Sequence, residues 1–326
     1  MDFEPGLVSV VMPAYNRAAF VGEAVESVIA QTHRPVEVLV VDDGSSDATV
    51  ELARKALASA GGDSQFRGVI IRQSKRGVCS ARNEGLIHSR GEFVQYLDSD
   101  DVLVSRKIEH HLLALRRNEA FDMVWSDWKV VASQDLAPTL AEANRQAALR
   151  SANELQATPT ARIAPWEPWP LLCRRRCVAG NGPWNERVVR WDDWEYVVRL
   201  WASQPAAAYM PGVYCVQRVH ELGRHHDYEV KPEGVGTGLI ACREAAAARR
   251  SFRPRQAFLD QLVADAYWQV GLEAMRWGTD AQCLEAFSGA MKIASRPRFR
   301  LKSAMATLAL RLGGRRTAAV LLKRYL

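Results

Sequence analysis

The sequence lacks any apolar run that approaches the ~20 residues needed to cross a bilayer. Its acidic opening, Met1-Asp-Phe-Glu-Pro, also lacks the basic and then apolar pattern of a secretory signal peptide. Cysteine is scarce, and the spacing of the nearest pair, Cys173 and Cys177, matches no common zinc site. We therefore expect a cytoplasmic protein with reduced, mostly buried thiols.

A dense basic face and a dinucleotide-binding glycine motif are missing as well. The chain has 43 Lys and Arg against 37 Asp and Glu, a net charge of +6. A nucleic-acid binder typically has a denser basic face, so we expect no nucleic-acid partner. Without Gly-x-Gly-x-x-Gly after the first predicted strand, a nicotinamide dehydrogenase is excluded. The mild positive excess suits a protein that handles anionic nucleotides.

Strand and helix patterns alternate cleanly over the first 130 residues. The spacing predicts strands at 8–12, 36–41, 68–72, 93–97 and 123–126, and helices at 18–31, 47–60, 78–89 and 105–118. This order predicts an α/β fold, a doubly wound and mostly parallel sheet with helices on both faces. A helix at 192–203 and two short strands at 207–210 and 213–217 follow, and the pattern is helical beyond residue 236.

Acidic residues follow two of the predicted strands at the edge where such sheets bind ligands. Asp42 and Asp43 end the second strand, and Asp98, Asp100 and Asp101 follow the fourth. A polar turn that caps the next helix is the simpler interpretation. However, carboxylates this close repel one another unless a cation or water screens them. Magnesium or manganese, which prefers oxygen ligands, would relieve the repulsion and bridge to substrate phosphates.

Five motifs in order resemble those of family 2 glycosyltransferases, which have the GT-A fold. They are VSVVMPAYNR at 8–17, VVDDGSSD at 40–47, GVCSARNEG at 77–85, DSDD at 98–101 and WDDWE at 191–195. The resemblance covers roughly residues 6 to 220. It implies a catalytic domain over 1–230, with a nucleotide-binding half at 1–130 and an acceptor-binding part at 131–230. A C-terminal helical region at 231–326 follows.

The resemblance also implies an activity. An inverting enzyme of this family moves a sugar from a nucleotide diphosphate sugar, by default a UDP-sugar, to an acceptor hydroxyl with the help of a divalent metal, Mn²⁺ or Mg²⁺. The expected acceptor is a saccharide or a lipid-linked saccharide, in bacterial polysaccharide or glycoconjugate synthesis. A sugar-nucleotide nucleotidyltransferase and a degenerate carbohydrate-binding protein are the alternatives.

Carried over from similar enzymes, the nucleotide site follows the first, second and fourth strands. Tyr15 is expected to pack against the base, and Asp43 to accept a hydrogen bond from its ring NH. Arg82 is expected to pair with the diphosphate or with Asp100, and a structural ion pair is an equal alternative. The predicted nucleotide-binding residues are Pro13, Ala14, Tyr15, Arg17, Asp42, Asp43, Arg82, Asp98 and Ser99.

The resemblance assigns the metal to Asp98, Asp100 and His220. Asp100 is the expected direct ligand, whereas Asp98 touches the ribose or binds through water. His220 follows the last predicted strand, where related enzymes carry a histidine. A hydrogen-bonded surface histidine is the alternative at that position.

Asp193 is the expected general base. The family usually has Glu-Asp at this point and this chain has Asp192 and Asp193, so only the second position is kept. The alternative is that acidic residues here favour the positive end of a helix dipole.

Acceptor contacts are predicted for Trp191, Asp192 and Trp169, because sugar rings stack on indoles, although large aromatics usually lie in the core. The tail from 296 to 326 mixes basic and apolar residues at helical spacing. Contact with the inner face of an acidic membrane, packing against the chain's own helices and a partner subunit all remain open for these basic C-terminal helices.

Overall fold

The computed structural model of the chain describes residues 3–150, 156–157, 167–220, 232–248 and 256–322. The strands are β1 (Glu4–Ala14), β2 (Val36–Asp42), β3 (Phe66–Arg72), β4 (Gly91–Tyr96), β5 (Val102–Leu103), β6 (Met123–Ala132), β7 (Gln156–Ala157), β8 (Leu171–Arg174) and β9 (Ala207–Val219). The α-helices are α1 (Val21–Ile29), α2 (Thr49–Ala58), α3 (Val78–His88), α4 (Lys107–Arg117), α5 (Leu136–Leu149), α6 (Arg175–Asn181), α7 (Asp192–Ala202), α8 (Pro232–Ala248), α9 (Gln256–Trp277), α10 (Asp280–Ile293) and α11 (Pro297–Leu322).

The first half of the sheet is parallel, as the sequence predicted. Strands β3, β2, β1 and β4 lie side by side in that order and all three pairings are parallel. All seven residues of β2 are buried, which is why this strand is a nearly continuous apolar run. Its one internal acid, Glu37, is accommodated because it accepts a hydrogen bond from Ser9 and pairs with Arg67 at 2.6 Å.

The second half of the sheet is mixed, whereas the sequence predicted a mostly parallel sheet. The order continues β8-β6-β9-β5, with β7 pairing with β9 outside this path. β8 is antiparallel to both β4 and β6, and β9 is parallel to β6. The two strands predicted at 207–210 and 213–217 form the single strand β9, which passes through a register shift at Pro211 and Gly212. The α/β fold class is confirmed.

The chain divides into two compact units. The first comprises Met1–Glu186 and Pro205–Gly223, and the second comprises Arg187–Gln204 and Arg224–Leu326. The predicted catalytic domain at 1–230 included Arg187–Gln204, which the structure groups with the C-terminal helices. The functional division of the chain stays a prediction.

Each unit has its own core. In the first, α1 packs Val21, Ala24, Val25 and Val28 onto the valines of β1 and β2, with the spacing of one helix face. In the second, Trp268 of α9 meets Phe287 of α10 edge to face at 4.9 Å. Among the described residues, no helix is both long and apolar enough to span a bilayer.

Candidate active site

Three loops meet at the carboxyl edge of the parallel strands in the first unit. They follow β1, β2 and β4, which are neighbours in the sheet, so their ends lie together. The Asp43 N–H donates to the Ala14 carbonyl at 2.8 Å, and Arg17 Nε donates to Asp100 Oδ2 at 3.0 Å. The sheet order therefore brings motifs that are 83 residues apart in sequence into one site.

Asp43 organises the loop that follows β3. Its Oδ1 accepts hydrogen bonds from Gln73 Nε2 and the Arg76 N–H, both at 2.7 Å, and its Oδ2 accepts one from the Gly77 N–H at 2.8 Å. Gly77 has φ +97°, a conformation that favours glycine. The carboxylate is buried and ordered by the chain itself, and its predicted hydrogen bond to a nucleobase remains a prediction.

Tyr15 lies in the loop after β1 beside a lysine. Lys75 Nζ donates to the Tyr15 hydroxyl at 2.9 Å and lies 4.3 Å from the centre of its ring. The phenol ring therefore lies beside the loop after β3, which Asp43 orders. An aromatic face next to a carboxylate is the arrangement expected for a base-binding site.

Asp100 is held by two basic groups. Its Oδ2 accepts from Arg17 at 3.0 Å and lies 3.1 Å from His220 Nε2. Burial opposes ionisation of Asp100, but the His220 hydrogen bond and the Arg17 charge outweigh it and hold the pKa of this carboxyl below its ordinary value. The ring of His220 also stacks against Phe20, with centroids 4.1 Å apart.

Asp101 is fully enclosed behind Asp100. Its Oδ1 accepts a hydrogen bond from the Arg218 N–H at 2.8 Å. Burial, and then the negative charges of Asp100 and Asp98, raise the pKa of Asp101 well above its ordinary value. Ligand oxygens of the three aspartates lie within 4.8 Å of one another. This oxygen-only, negatively charged set fits a hard divalent cation.

Arg82 pairs with Asp98, whereas Asp100 was the carboxylate named among its predicted partners. Its Nη2 donates to Asp98 Oδ1 at 2.9 Å, and its guanidinium lies 4.2 Å from the centre of the Trp184 ring. Arg82 lies on α3, and from this helix its buried side chain reaches Asp98, the first carboxylate of the cluster. The structural ion pair predicted as an alternative is present, and the predicted contact of Arg82 with the diphosphate stays a prediction.

The other predicted nucleotide-binding residues lie at the same edge. Asp42 is fully buried, accepts from the Ser45 N–H at 3.2 Å and pairs with Arg72 at 3.4 Å, so it braces its own loop. Pro13 and Ala14 end β1 and are buried, as is Ser99 inside the acidic loop.

Asp193 and its neighbours belong to the second unit. Asp192 and Asp193 begin α7, and Trp191 precedes them with φ +70°, a left-handed conformation that is uncommon for a tryptophan. Trp191 packs edge to face against Trp194 at 5.8 Å. The roles predicted for Asp193, Asp192 and Trp191 stay predictions.

Trp169 does not fit its predicted acceptor role. It is 3% exposed and packs in the hydrophobic core of the first unit. It lies just ahead of β8, and its carbonyl accepts hydrogen bonds from Gln95 and Cys215. The indole is thereby held inside the sheet layer, where it offers no surface to a sugar.

Sequence reasoning missed two cations of this site. Asp101 was named among the crowded carboxylates but not among the predicted metal ligands; it lies in the acidic cluster with Asp98 and Asp100, and the metal role predicted for His220 stays a prediction. Lys75 contacts Tyr15, and Arg218 holds both Asp101 and the Asp100 carbonyl. Nothing in the spacing of these two cations revealed their partners.

The chain is similar to known glycosyltransferases. Residues 9–159 match the model of glycosyl transferase family 2. A curated relative is UDP-Glc:alpha-D-GlcNAc-diphosphoundecaprenol beta-1,3-glucosyltransferase WfgD of Escherichia coli, 31% identical over 125 residues, or 38% of this chain and 47% of WfgD. For the first curated relatives as a group, the match spans 17% to 47% of their own length.

Solved structures share the fold. TarS 1–349 of S. aureus, in complex with UDP-GlcNAc, has a TM-score of 0.69 and 16% identity, covering 98% of this chain and 91% of that one. The mannosyltransferase PcManGT of Pyrobaculum calidifontis, in complex with GDP-Man and Mn²⁺, has a TM-score of 0.55 and 19% identity, covering 99% and 88%. At these identities the likeness concerns the fold alone. The resemblance to glycosyl transferase family 2 is confirmed over residues 9–159, where four of the five motifs lie; the WDDWE motif at 191–195 lies beyond the matched residues.

Proposed function

We propose that this chain is an inverting glycosyltransferase that moves a sugar from a nucleoside diphosphate sugar to an acceptor hydroxyl. The observation that carries the proposal is the meeting of Tyr15, Asp43 and the acidic cluster at one edge of the sheet, inside the segment that matches the family. An aromatic ring and an ordered carboxylate are the parts that a nucleobase requires, and a cation-binding cluster is the part that a diphosphate requires.

Asp98, Asp100 and Asp101 would hold a divalent metal, Mn²⁺ or Mg²⁺. Once bound, the metal would neutralise negative charge that develops on the departing diphosphate. Two observations support this fit. The three carboxylates are close enough to share one ion, and the pKa of Asp101 is raised by its burial and then by the negative charges of Asp100 and Asp98, which a bound cation would offset.

The chain's own basic side chains would hold the cluster in shape before the donor arrives. Arg17 and His220 fix Asp100, and Arg82 fixes Asp98. A site ordered in advance reorganises little during the reaction, which is how positioned charges lower a barrier. His220 would act on the metal indirectly, because it holds Asp100. Direct contact with the metal or the phosphate is the other role predicted for it.

Asp193 would be the general base. It would take the proton from the acceptor hydroxyl as that oxygen attacks the anomeric carbon opposite the leaving diphosphate, and one displacement of this kind inverts the anomeric configuration. Its support is the WDDWE motif and its position in the first turn of α7. Trp191 and Asp192 would contact the acceptor from the same motif.

UDP is the donor nucleotide we propose, and the reaction would take place in the cytoplasm. WfgD is named for a UDP-glucose donor and a diphosphoundecaprenol-linked acceptor, and TarS was crystallised with UDP-GlcNAc. PcManGT was crystallised with GDP-Man, so a guanosine donor belongs in the same trial. The acceptor class we propose is a saccharide, free or lipid-linked.

The experiment is a panel of nucleotide sugars incubated with the protein, with and without Mn²⁺, and with a matched set of saccharide acceptors. Release of nucleoside diphosphate from one donor, dependent on metal, supports the proposal. In a separate incubation with a nucleoside triphosphate and a sugar phosphate, release of pyrophosphate would instead indicate a nucleotidyltransferase. If the protein turns over none of these substrates and binds no nucleotide, the degenerate carbohydrate-binding protein is the remaining interpretation.

A further inference from the structure

The outer face of α11 carries a stripe of exposed large apolar side chains. Leu301, Met305, Leu308 and Leu312 are 64%, 51%, 57% and 77% exposed. Their spacing of four, three and four residues places them in one line along the helix. Single exposed leucines are ordinary on a protein surface, but four in a row on one helix form a continuous patch that marks an interaction surface.

The opposite face of α11 supplies the packing that the fold needs. Ala306, Ala309 and Leu310 are buried there, and this face lies against α10. The helix is therefore apolar on two sides, of which only the inner one is used within the second unit. The outer stripe contributes little to folding, so substitutions in it can be made without unfolding the protein.

The charge on α11 is of one sign. From Pro297 to Leu322 the helix has no Asp or Glu, and its basic residues are Arg298, Arg300, Lys302, Arg311, Arg315 and Arg316. At 100° per residue, Arg298 lies on one side of the stripe and Arg300 and Arg311 lie on the other. Arginine side chains beside an apolar strip can extend their guanidinium groups to an anionic surface while their stems stay on the apolar one.

Further arginines lie where α11 changes direction. Gly313 and Gly314 interrupt the helix, and beyond them a shallow depression is lined by Met275, Arg276, Arg315, Arg316 and Ala319. Asp280 pairs with Arg315 at 2.8 Å. Within the described ranges, no carboxylate pairs with Arg276 or Arg316. These two cations add to the positive charge at this end of the helix.

We propose that this face of α11 docks on an anionic lipid bilayer, with the four apolar side chains at the boundary between head groups and acyl chains and the arginines on lipid phosphates. An apolar stripe with basic flanks and no acids is complementary to such a surface. A second copy of the chain fits less well, because α11 has six basic residues and no carboxylate of its own, so two copies of the helix would place like charges against each other.

The experiment is flotation of the full chain with two kinds of vesicle, phosphatidylcholine alone and phosphatidylcholine mixed with phosphatidylglycerol. The wild type is expected to float with the anionic vesicles and to remain unbound with the neutral ones. Leu308→Asp/Leu312→Asp should lower binding by tenfold or more, because two apolar groups are lost and two negative charges face the lipid. Arg298→Gln/Arg311→Gln should lower it several-fold and high salt should do the same.

The control is Leu149→Asp, which changes a leucine of α5 that is 88% exposed. It should bind as the wild type does, and all variants should keep the wild-type circular dichroism spectrum and melting temperature. The proposal is overturned if the stripe variants float as the wild type does, if the wild type binds neither vesicle, or if it binds both equally. A wild-type dimer that Leu308→Asp/Leu312→Asp converts to a monomer, without any vesicle binding, would assign the stripe to a second copy instead. None of these measurements depends on the proposed transferase activity.

Discussion

Arg82 and Asp98 form an ion pair at 2.9 Å that joins a buried arginine to the first, partly exposed carboxylate of the acidic cluster. The arginine is 2% exposed and its guanidinium lies over the indole ring of Trp184. A cation that contacts both a carboxylate and an aromatic ring is held in place, so it also positions the carboxylate. The first member of the cluster is therefore placed by α3 before any donor binds.

Arg82→Met should lower the free energy of unfolding by about 3 kcal/mol, because Asp98 loses its partner and the indole loses its cation. In a double-mutant cycle with Asp98→Asn, we expect the two losses to be non-additive by ~1–3 kcal/mol. Urea denaturation gives each value. Arg90→Met is the control, since Arg90 is half exposed and should cost far less. Additive losses would show that the pair is not coupled.

Tyr15→Ala should weaken binding of UDP by roughly 1–3 kcal/mol, the usual contribution of one aromatic ring stacked on a base. Tyr15→Phe keeps the ring and loses only the hydroxyl that accepts from Lys75, so it should bind almost as the wild type does. Calorimetric titration of both variants measures the difference. If both variants weaken UDP binding equally, the hydroxyl of Tyr15, and not its ring, makes the main contact with UDP.

Asp193→Asn should leave donor binding intact and lower the transfer rate by ~10²–10⁴-fold, because the amide cannot accept the acceptor's proton. Asp192→Asn is the matched comparison and should mainly raise the KM for the acceptor. Initial rates at saturating donor distinguish the two. If Asp192→Asn suffers the larger loss of kcat, the base is the first aspartate of the pair.

Stability should fall as the pH drops below about 6.5, the ordinary pKa of histidine. Burial, and then the charges of Lys107 and His110, lower the pKa of His111 well below that value. Burial also lowers the pKa of His33. The unfolded chain then binds these protons more readily than the folded one, so the stabilisation is complete above pH 6.5 and is lost below it, by at most ~1.4 kcal/mol per pH unit for each histidine.

His111→Phe should flatten this pH dependence, because the aromatic ring that packs on Tyr214 is kept and the titrating group is removed. Unfolding free energies measured by urea on either side of pH 6.5 provide the comparison. An unchanged slope in His111→Phe would assign the pH dependence to other groups.

The parallel half of the fold was predictable because β1, β2 and β4 are mostly buried apolar runs and helices alternate with the strands. β1, β2 and β4 lie where the sequence predicted them, within a few residues. β5 and β8 were missed because strands of two and four residues leave no periodicity to detect. β9 was divided in two because Pro211 and Gly212 resemble a turn in sequence, whereas the strand passes through them with Gly212 at φ +117°.

The acidic residues of the site were predictable because they follow strands whose ends share one edge. The basic residues that contact these acids were not predictable. The contact of Arg17 with Asp100, and that of Arg218 with Asp101, depend on which strands are neighbours and on side-chain directions, neither of which motif spacing specifies. Trp169 was assigned to the acceptor because aromatic crowding is visible in a sequence, but burial is decided by the sheet.

The most direct test of the account is calorimetric titration of UDP into the wild type and into Asp100→Asn, each with and without Mn²⁺. We predict that Mn²⁺ tightens UDP binding to the wild type by tenfold or more and has little effect on Asp100→Asn, with Asp135→Asn, at an exposed aspartate, behaving as the wild type does. UDP binding that is equally tight in all four conditions, or absent from the wild type in every one, would contradict a metal and diphosphate site at this edge of the sheet.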